Sequence, residues 1–198
     1  MKLLAFTDTH GSMKALHEIK KKSKSVELLA CCGDFTIFER NLEQMLKALN
    51  SLGRVLLIPG NHEYSQRIDK LVKKYKNIVY LHRRGLILEE VIFIGYGGGG
   101  FGVVDEMFEH WGKKVEKVLK QHPDKKTVLL LHGPPYGTKV DRILNQQCGN
   151  KSYRRFIERN KIKYVLCGHL HECNGKTDEI KGTKYLNPGP FGKIIDIK

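Results

Sequence analysis

The sequence predicts an α/β protein in which two mixed β-sheets pack face to face and carry helices on their outer surfaces. Three observations lead to this prediction. Short apolar runs alternate with segments of helical periodicity over residues 1–75, as in a buried parallel sheet covered by helices. Three apolar runs then follow one another too closely for helices to separate them, which indicates antiparallel pairing. A helical pattern and further apolar runs return after residue 100.

In the first part of the chain we predict three strands, each followed by a helix. The strands are residues 3–6, 26–31 and 55–58. Ser12 is placed to cap the first helix. The third helix is predicted over residues 66–75. The helices are recognised by apolar residues that share one face: Met13, Leu16 and Ile19 in the first, Leu42, Met45, Leu46 and Leu49 in the second, and Ile68, Leu71 and Val72 in the third.

The sequence pattern of the rest of the chain predicts further strands and two helices. The closely spaced strands are residues 78–81, 86–88 and 91–94, and later strands are residues 128–131, 164–167, 183–186 and 193–197. One helix carries Trp111, Val115, Val118 and Leu119. Another spans residues 152–160, with Ser152 as its cap.

Length and cysteine content set broad limits. The 198 residues fit one domain spanning residues 1–198. Apolar runs are too short for a membrane span, and the chain turns polar at Thr7, too early for a signal peptide. Five cysteines with no CxxC pair argue against a disulfide framework and a zinc clamp, so reduced, buried thiols are expected. We therefore expect a cytoplasmic protein with no membrane partner.

The net charge of +14 favours anionic partners, nucleic acid among them. However, the basic residues are dispersed over segments with helical periodicity, near residues 20–24, 70–76, 113–126 and 154–163. This distribution is typical of solvated helix faces. The charge alone therefore does not decide between the two interpretations.

Polar side chains that can bind metal follow five of the predicted strands. In open α/β sheets, ligands bind beyond the carboxyl ends of strands, so these residues are expected to converge. Oxygen and imidazole donors without a thiolate suit divalent first-row metals. They are too many for one four-coordinate ion, but two ions sharing a carboxylate could use them. The residues are Asp8, His10, Asp34, Asn61, His62, His132, His169 and His171.

The order of these motifs resembles the signature of the calcineurin-like metallophosphoesterases. The motifs are Asp8-x-His10, Gly33-Asp34, Gly60-Asn61-His62-Glu63, His132 and Gly168-His169-x-His171. The resemblance runs from residue 2 to about residue 192, and His132-Gly133-Pro134-Pro135 is similar to small stand-alone members. One departure is the second motif, which continues Phe35-Thr36-Ile37 where the family often has a further acid or glycine. The resemblance implies a four-layer α-β-β-α sandwich.

The resemblance also implies a role for each residue. Asp8, His10 and His171 would bind one metal, and Asn61, His132 and His169 a second. Asp34 would bridge the two ions. His62 would stand over the leaving group as a proton donor rather than bind metal, and a metal-bridging hydroxide would attack phosphorus. Manganese is the first expectation for the metal, with Fe, Co, Ni or Zn as alternatives.

Three functional hypotheses follow. The first is a dinuclear phosphoesterase that hydrolyses phosphodiesters and also phosphomonoesters, acting at an open site on small substrates that include nucleotide-like ones. The second is a nuclease, which is suggested by the positive net charge. The third is a non-catalytic scaffold on the same fold, which is disfavoured because all seven proposed ligands and His62 are present. The substrate-binding residues and the oligomeric state are not predicted.

Several features outside this set have ordinary interpretations. Gly97–Gly100 is either a flexible turn or a loop at the rim that admits substrate. The segment from Pro134 to Gly137 is expected to be a stiff turn that fixes His132, although Tyr136 could also touch substrate. The remaining histidines, His17, His82, His110 and His122, are expected in solvent.

Overall fold

The computed structural model describes residues 1–197, which form five α-helices and thirteen β-strands. The helices are α1 (Met13–Ser23), α2 (Leu42–Asn50), α3 (Ser65–Leu71), α4 (Glu106–Gln121) and α5 (Lys151–Arg159). The strands are β1 (Lys2–Phe6), β2 (Leu28–Cys31), β3 (Val55–Leu57), β4 (Ile78–Tyr80), β5 (Arg84–Leu88), β6 (Val91–Tyr96), β7 (Lys126–Leu131), β8 (Arg142–Ile143), β9 (Gln146–Gln147), β10 (Tyr164–Leu166), β11 (Thr177–Ile180), β12 (Thr183–Leu186) and β13 (Lys193–Asp196).

Two large mixed sheets organise the molecule. The first has the order β13-β1-β2-β3-β4, in which β1 to β4 run parallel and β13 is antiparallel. The second has the order β11-β12-β10-β7-β6-β5, in which the four central strands are parallel and the two edge strands antiparallel. The short strands β8 and β9 form a separate hairpin. The predicted class, two mixed sheets with helices, is confirmed.

Three apolar clusters fill the spaces between the layers. Consecutive strand residues point to opposite faces. In β1, Leu3 therefore packs towards the second sheet, in a cluster with Phe93, whereas Phe6 packs against the helices with Ile19 of α1. On the far side, a third cluster joins the second sheet to α4 and α5, for example through Phe156. Because both faces of the central strands are buried, their sequences read as continuous apolar runs.

The predicted antiparallel pairing is correct for β5 and β6 but wrong for β4. β5 pairs antiparallel with β6 in the second sheet, whereas β4 is a parallel edge strand of the first sheet beside β3. The chain crosses between the sheets within residues 81–83, where Arg83 has φ 55°. So short a crossover has the same spacing as a hairpin, which is why the sequence pattern did not distinguish them.

The predicted cap of α5 is also corrected. The helix begins at Lys151, and the side chain of Asn150 accepts hydrogen bonds from the backbone N–H groups of Ser152 and Tyr153. Ser152 lies inside the first turn, and its hydroxyl donates to Glu109 at 2.6 Å. Asn caps helices as well as Ser does, so residue type alone did not separate the two positions.

His82 is not in solvent, contrary to the prediction. It is half-buried, with its ring near those of Tyr80 and Tyr96. Its Nδ1 accepts the backbone N–H of Gly97 at 2.9 Å. Burial, reinforced by the charges of the adjacent arginines at positions 83 and 84, lowers the pKa of His82 to about 4.

Two polar elements gave no apolar periodicity and were not predicted. They are the edge strand β11 and the β8–β9 hairpin. The third helix begins close to its predicted start but ends at Leu71, where a 3₁₀ turn over Val72–Lys74 follows. Cys31, Cys32, Cys167 and Cys173 are buried free thiols, as expected, whereas Cys148 is a free thiol that is only half-buried.

Many of the basic residues lie on solvent faces of helices, as expected, and others lie on strands and loops, such as Arg84 on β5. Exposed examples are Lys20 and Lys21 on α1 and Lys113, Lys114, Lys117 and Lys120 on α4. These two helices cover different sheets, so their charges are spread around the sandwich. Within residues 1–197, no helix combines the length and the apolar character needed to span a membrane.

Candidate metal centre

The carboxyl ends of five parallel strands meet at one edge of the sandwich. β1, β2 and β3 are neighbours in the first sheet, and Asp8, Asp34 and Asn61 follow them in that order. β7 and β10 are neighbours in the second sheet, and His132 and His169 follow these two strands. Because the two sheets pack face to face, the loops from both sheets close over the same space.

Hydrogen bonds tie the two sheets together at this edge. The ring Nδ1 of His132 lies 2.9 Å from the backbone carbonyl of Cys32, which directly follows β2 of the first sheet. The backbone N–H of His169 donates to both carboxylate oxygens of Asp8, at 3.0 and 3.2 Å. The strand-end residues of one sheet therefore fix the loops of the other.

Glycines beside the strand ends let these loops approach closely. A Cβ added to Gly168 would lie 2.0 Å from Oγ1 of Thr7 and 2.6 Å from Oδ2 of Asp8. A Cβ added to Gly60 would lie 1.9 Å from Oδ1 of Asp34. These motif glycines are therefore required by contact with the candidate ligands.

Four of the candidate residues have left-handed backbone conformations. The φ angles are 52° for Asp8, 44° for His10, 49° for Asp34 and 69° for His169. Such conformations are unfavourable for residues other than glycine and cluster at functional sites. Here they occur where the chain turns sharply after a strand, so that consecutive side chains can point into one space.

Asp34 occupies the centre of the site. Its Oδ2 lies 3.4 Å from Nε2 of His132, 3.8 Å from Nε2 of His62 and 4.0 Å from Nε2 of His10. Its Oδ1 accepts the backbone N–H of His62 at 2.9 Å. The carboxylate is almost completely buried, so one oxygen anchors a loop while the other faces three imidazoles.

One group of candidate ligands combines residues that are far apart in the sequence. Asp8, His10 and His171 each offer a donor atom, all within 4.8 Å of one another. The Nε2 atoms of His10 and His171 are 3.1 Å apart. Asp8 is buried, His10 is half-buried and His171 is exposed, so this group reaches from the protein interior to solvent.

A second group contains Asp34, His132 and His169, again with donor atoms within 4.8 Å. The amide Oδ1 of Asn61 approaches Nε2 of His132 at 2.9 Å and adds a neutral oxygen donor. Among the side-chain atoms of residues 1–197, Nε2 of His169 stands out because it is buried without a hydrogen-bond partner. A buried nitrogen with no partner, facing a carboxylate and a second imidazole, fits a metal ion.

The electrostatics of this group also fit a cation. Burial lowers the pKa of His169 to about 4, with His132 adding to the effect, so its ring is neutral at physiological pH. Burial opposes both charges in the Asp34–His132 pair, but their attraction is stronger: it lowers the pKa of Asp34 and raises that of His132. Without a metal, the buried carboxylate thus attracts a proton to the imidazole beside it, and a metal ion can replace that charge.

Hydrogen bonds to the second ring nitrogen distinguish His62 from two of the candidate ligands, His10 and His132. In His10 and His132, Nδ1 faces a backbone carbonyl, of Thr36 at 3.3 Å and of Cys32 at 2.9 Å. These carbonyls favour the proton on Nδ1, which leaves the Nε2 lone pair facing the site. In His62, by contrast, Nδ1 accepts the backbone N–H of Phe38 at 3.4 Å. The neutral His62 ring therefore carries its proton on Nε2.

Distance alone does not make this distinction, because His62 also forms a group of potential ligands with His10 and Asp34. All eight residues named from the sequence are thus brought to one site. A comparison with known protein families gives this arrangement its context. The family model for calcineurin-like phosphoesterases matches residues 1–173.

The chain belongs to the calcineurin-like phosphoesterase family. Membership supports a metal-dependent phosphoester hydrolase, since the family uses divalent metals. The groups described above are the candidate positions for the metal in this calcineurin-like phosphoesterase.

Two relatives and one solved structure illustrate the similarity. UPF0046 protein K07C11.7 of Caenorhabditis elegans is 25% identical over 217 residues, covering 98% of this chain and 71% of the relative. A probable glycerophosphodiester phosphodiesterase, GpdQ, of Arcobacter nitrofigilis is 26% identical over 127 residues, covering 60% of this chain and 45% of that protein. The crystal structure of TT1561 of Thermus thermophilus superposes with a TM-score of 0.75 at 17% identity, covering 95% of this chain and 88% of that chain, and shows that the fold is shared.

Glu63 is a structural residue of the site to which the sequence assigned no role. Its buried carboxylate accepts four hydrogen bonds, from the backbone N–H groups of Asp34, Gly60 and Thr36 and from the Thr36 hydroxyl, at 2.7–3.0 Å. Burial raises the pKa of Glu63 to about 7, whereas these four donors favour the ionised form. The sequence feature that could have indicated this role is the position of Glu63 directly after His62 in the Gly60–Glu63 motif.

The Gly97–Gly100 loop lies at the rim of the site, beside a cavity of about 640 Å³ that Glu63 and Tyr64 also line. Gly98 donates its backbone N–H to the carbonyl of Pro59 at 2.8 Å. A Cβ at Gly97 would approach that carbonyl to 2.2 Å, so close packing on Pro59 requires glycine there. The loop is thus held against the residues that follow β3, and Phe101 is the next residue after the loop.

Proposed function

We propose that this calcineurin-like phosphoesterase is a dinuclear, metal-dependent phosphodiesterase that also accepts phosphomonoesters. One observation carries the proposal: Oδ2 of the buried Asp34 lies within 4.0 Å of three imidazole nitrogens contributed by both sheets. A buried carboxylate that faces imidazoles from both sheets suits a position between two cations.

The proposed ligands divide into two sets around Asp34. Asp8, His10 and His171 would hold one ion. Asn61, His132 and His169 would hold the other, with Asp34 shared by both. The orphaned Nε2 of His169 and the Nδ1–carbonyl contacts of His10 and His132 support these assignments. The donor set contains no thiolate, and we propose manganese, with Fe, Co, Ni or Zn as alternatives.

When bound, two divalent ions would supply positive charge for the phosphate oxygens and acidify the water that serves as nucleophile. The residues of the chain complete the chemistry. His62 presents its Nε2–H at the site and would donate it towards the oxygen of the leaving group. The Phe38 N–H and the Asp34 carboxylate would hold His62 in this orientation, one at its ring and one at its backbone.

A small phosphoester, nucleotide-like ones included, is the proposed substrate. His171 and Asn61 are exposed, so the site opens directly to solvent. The similarity to the A. nitrofigilis protein, described as a probable glycerophosphodiester phosphodiesterase, supports a diester. The chain spans less than half of that protein, so its activity is a guide and not an assignment.

The experiment that tests this function is a metal-substitution panel. The protein is stripped with a chelator and reloaded separately with Mn, Fe, Co, Ni and Zn. Each form is assayed with p-nitrophenyl phosphate, bis-p-nitrophenyl phosphate and a cyclic nucleotide. Turnover of the linear diester that exceeds turnover of the monoester is expected with at least one metal. No turnover of any substrate with any metal would contradict the proposal.

A nuclease is the alternative, and the net charge of +14 favours it. Phosphate contacts by Lys and Arg would make cleavage of single-stranded DNA fall steeply with salt. The discriminating assay compares DNA cleavage and bis-p-nitrophenyl phosphate turnover at several salt concentrations. Diester turnover without DNA cleavage at low salt would exclude the nuclease.

We further propose that residues 1–198 act as one domain in the cytoplasm. The proposed compartment is supported by the buried free thiols of Cys31, Cys32 and Cys167, which suit a reducing environment.

A further inference from the structure

Two exposed phenylalanines contact histidines of the candidate metal centre. Phe38 is 74% exposed, and its ring stacks on that of His62 with centroids 4.2 Å apart and an interplanar angle of 25°. Phe101 is 65% exposed, and its ring lies 4.6 Å from that of His169 at 56°. Isolated apolar residues on a surface are ordinary, but aromatic rings that remain exposed while touching catalytic-site histidines indicate a binding surface.

The two rings lie at opposite ends of a row of contacts. The row starts at His62, whose Nε2 is 3.8 Å from Asp34, and continues to His132 at 3.4 Å from the same carboxylate oxygen. It ends at His169, whose ring centroid is 5.2 Å from that of His132. Phe38 adjoins the first residue of this row and Phe101 the last, so each ring lies beside a different histidine of the candidate metal centre.

Both rings are presented by anchored loops. Phe38 has φ 46°, which is strained for a bulky residue, and the next N–H, of Glu39, donates to the Thr36 hydroxyl at 3.2 Å. The loop that carries Phe101 is held on one side by the Gly98–Pro59 hydrogen bond. On its other side the side-chain amide of Asn150 donates to the Gly102 carbonyl at 2.8 Å.

We propose that Phe38 and Phe101 form two aromatic subsites, one for each ester substituent of a phosphodiester. Phe38, beside the proton donor His62, would contact the leaving group. Phe101, beside His169, would stack on the substituent that stays on phosphorus. This inference rests on the proposed function and names its preferred substrate class: diesters that carry flat aromatic groups, such as nucleoside or aryl esters.

The reaction is a hydrolysis and needs no further reactant. Water forms the new P–O bond, the P–O bond to the leaving group breaks, and one proton passes to the leaving oxygen. The products are a phosphomonoester and an alcohol. A monoester can use only one of the two subsites, which is why both together favour diesters.

The first test compares two diesters with the same leaving group, thymidine 5′-p-nitrophenyl phosphate and methyl p-nitrophenyl phosphate. They differ only in the retained substituent. In Phe101→Ala we expect the ratio of KM for the thymidine compound to KM for the methyl compound to rise about tenfold, as loss of one stacked ring does. Phe101→Tyr should restore the preference, and Ile87→Ala, which removes an exposed apolar side chain on β5, should not alter it.

Phe101→Leu separates an aromatic subsite from a general apolar surface. Leu keeps apolar area but offers no flat ring, so we expect it to behave as Phe101→Ala does. A Leu variant with the preference of the original protein would overturn the proposal and favour an acyl or alkyl substituent. An unchanged ratio of the two substrates in Phe101→Ala would overturn it as well.

The second test does not depend on activity. Saturation-transfer NMR is recorded for diphenyl phosphate with the chelator-treated protein. Transfer to the phenyl protons is expected, weaker in Phe38→Ala and in Phe101→Ala, and lost when both are combined. Absence of transfer in the original protein, or equal transfer in the double variant, would overturn the subsites. If no metal supports hydrolysis, the proposed function fails, and this measurement still decides the subsites.

Discussion

His10 and His171 place their Nε2 atoms 3.1 Å apart, although 161 residues separate them in the chain. The Thr36 carbonyl beside Nδ1 of His10 leaves the Nε2 lone pair of that ring facing His171. Two such nitrogens can share one proton or bind one cation. Because Asp8 lies 3.9 Å from Nε2 of His171, the three residues offer the mixed donors that divalent metals bind.

Asp34→Asn should lower metal retention. The substitution removes the negative charge that faces His10, His62 and His132 at the centre of the site. Metal content measured by plasma mass spectrometry after dialysis should fall from two ions to one or none. Asp69→Asn, which alters a surface ion pair with Arg84, is the matched control and should keep both ions. Two retained ions in Asp34→Asn would contradict its bridging role.

His62→Ala should separate catalysis from metal binding. Loss of a positioned proton donor typically lowers turnover about 10²–10⁴-fold. The loss should be greatest for diesters with poor leaving groups and small for p-nitrophenyl esters, whose leaving group needs little protonation. Metal content should stay at two ions, and the exposed His110→Ala on α4 serves as control. A missing ion in His62→Ala would show that His62 is a ligand instead.

Glu63→Gln should destabilise the loops that carry the candidate ligands. Either orientation of the amide places its NH₂ group against backbone N–H donors that now bond to a carboxylate oxygen. Leaving such buried donors unsatisfied costs about 1–3 kcal/mol, measurable as the free energy of unfolding in urea. Glu43→Gln, on the exposed face of α2, should leave it unchanged. Equal stabilities of the two variants would refute the role assigned to Glu63.

His82 should make stability fall with acid. Its pKa is about 4 in the folded protein against an ordinary 6.5, so between these values the unfolded chain binds more protons and stability decreases as pH falls. Linkage gives a loss of roughly 2 kcal/mol between pH 7 and pH 5 from this residue. His82→Asn keeps an acceptor for the Gly97 N–H without titrating, and its urea-unfolding free energy should change less over this range. Parallel pH profiles for the two proteins would contradict the prediction.

The sequence predicted the apolar strands, the two-sheet arrangement and the convergence of Asp8, Asp34 and the site histidines for one physical reason. Buried parallel strands are continuous apolar runs, and polar residues that follow them must meet at the same sheet edge. The prediction failed for β4 because a three-residue crossover between sheets and a hairpin have the same length. It failed for the cap of α5 because Ser152 and Asn150 are both good capping residues.

The sequence by itself therefore determined which donor atoms reach the site and on which strands they arrive. Only the tertiary structure decided what each one faces. The carbonyl of Cys32 turns the His132 lone pair inward, while the N–H of Phe38 leaves His62 with a proton to donate. Glu63 and the two exposed phenylalanines likewise gain their roles from contacts between separate loops. Periodicity reports which face of an element is buried, but such contacts depend on how distant segments are brought together, which no local pattern encodes.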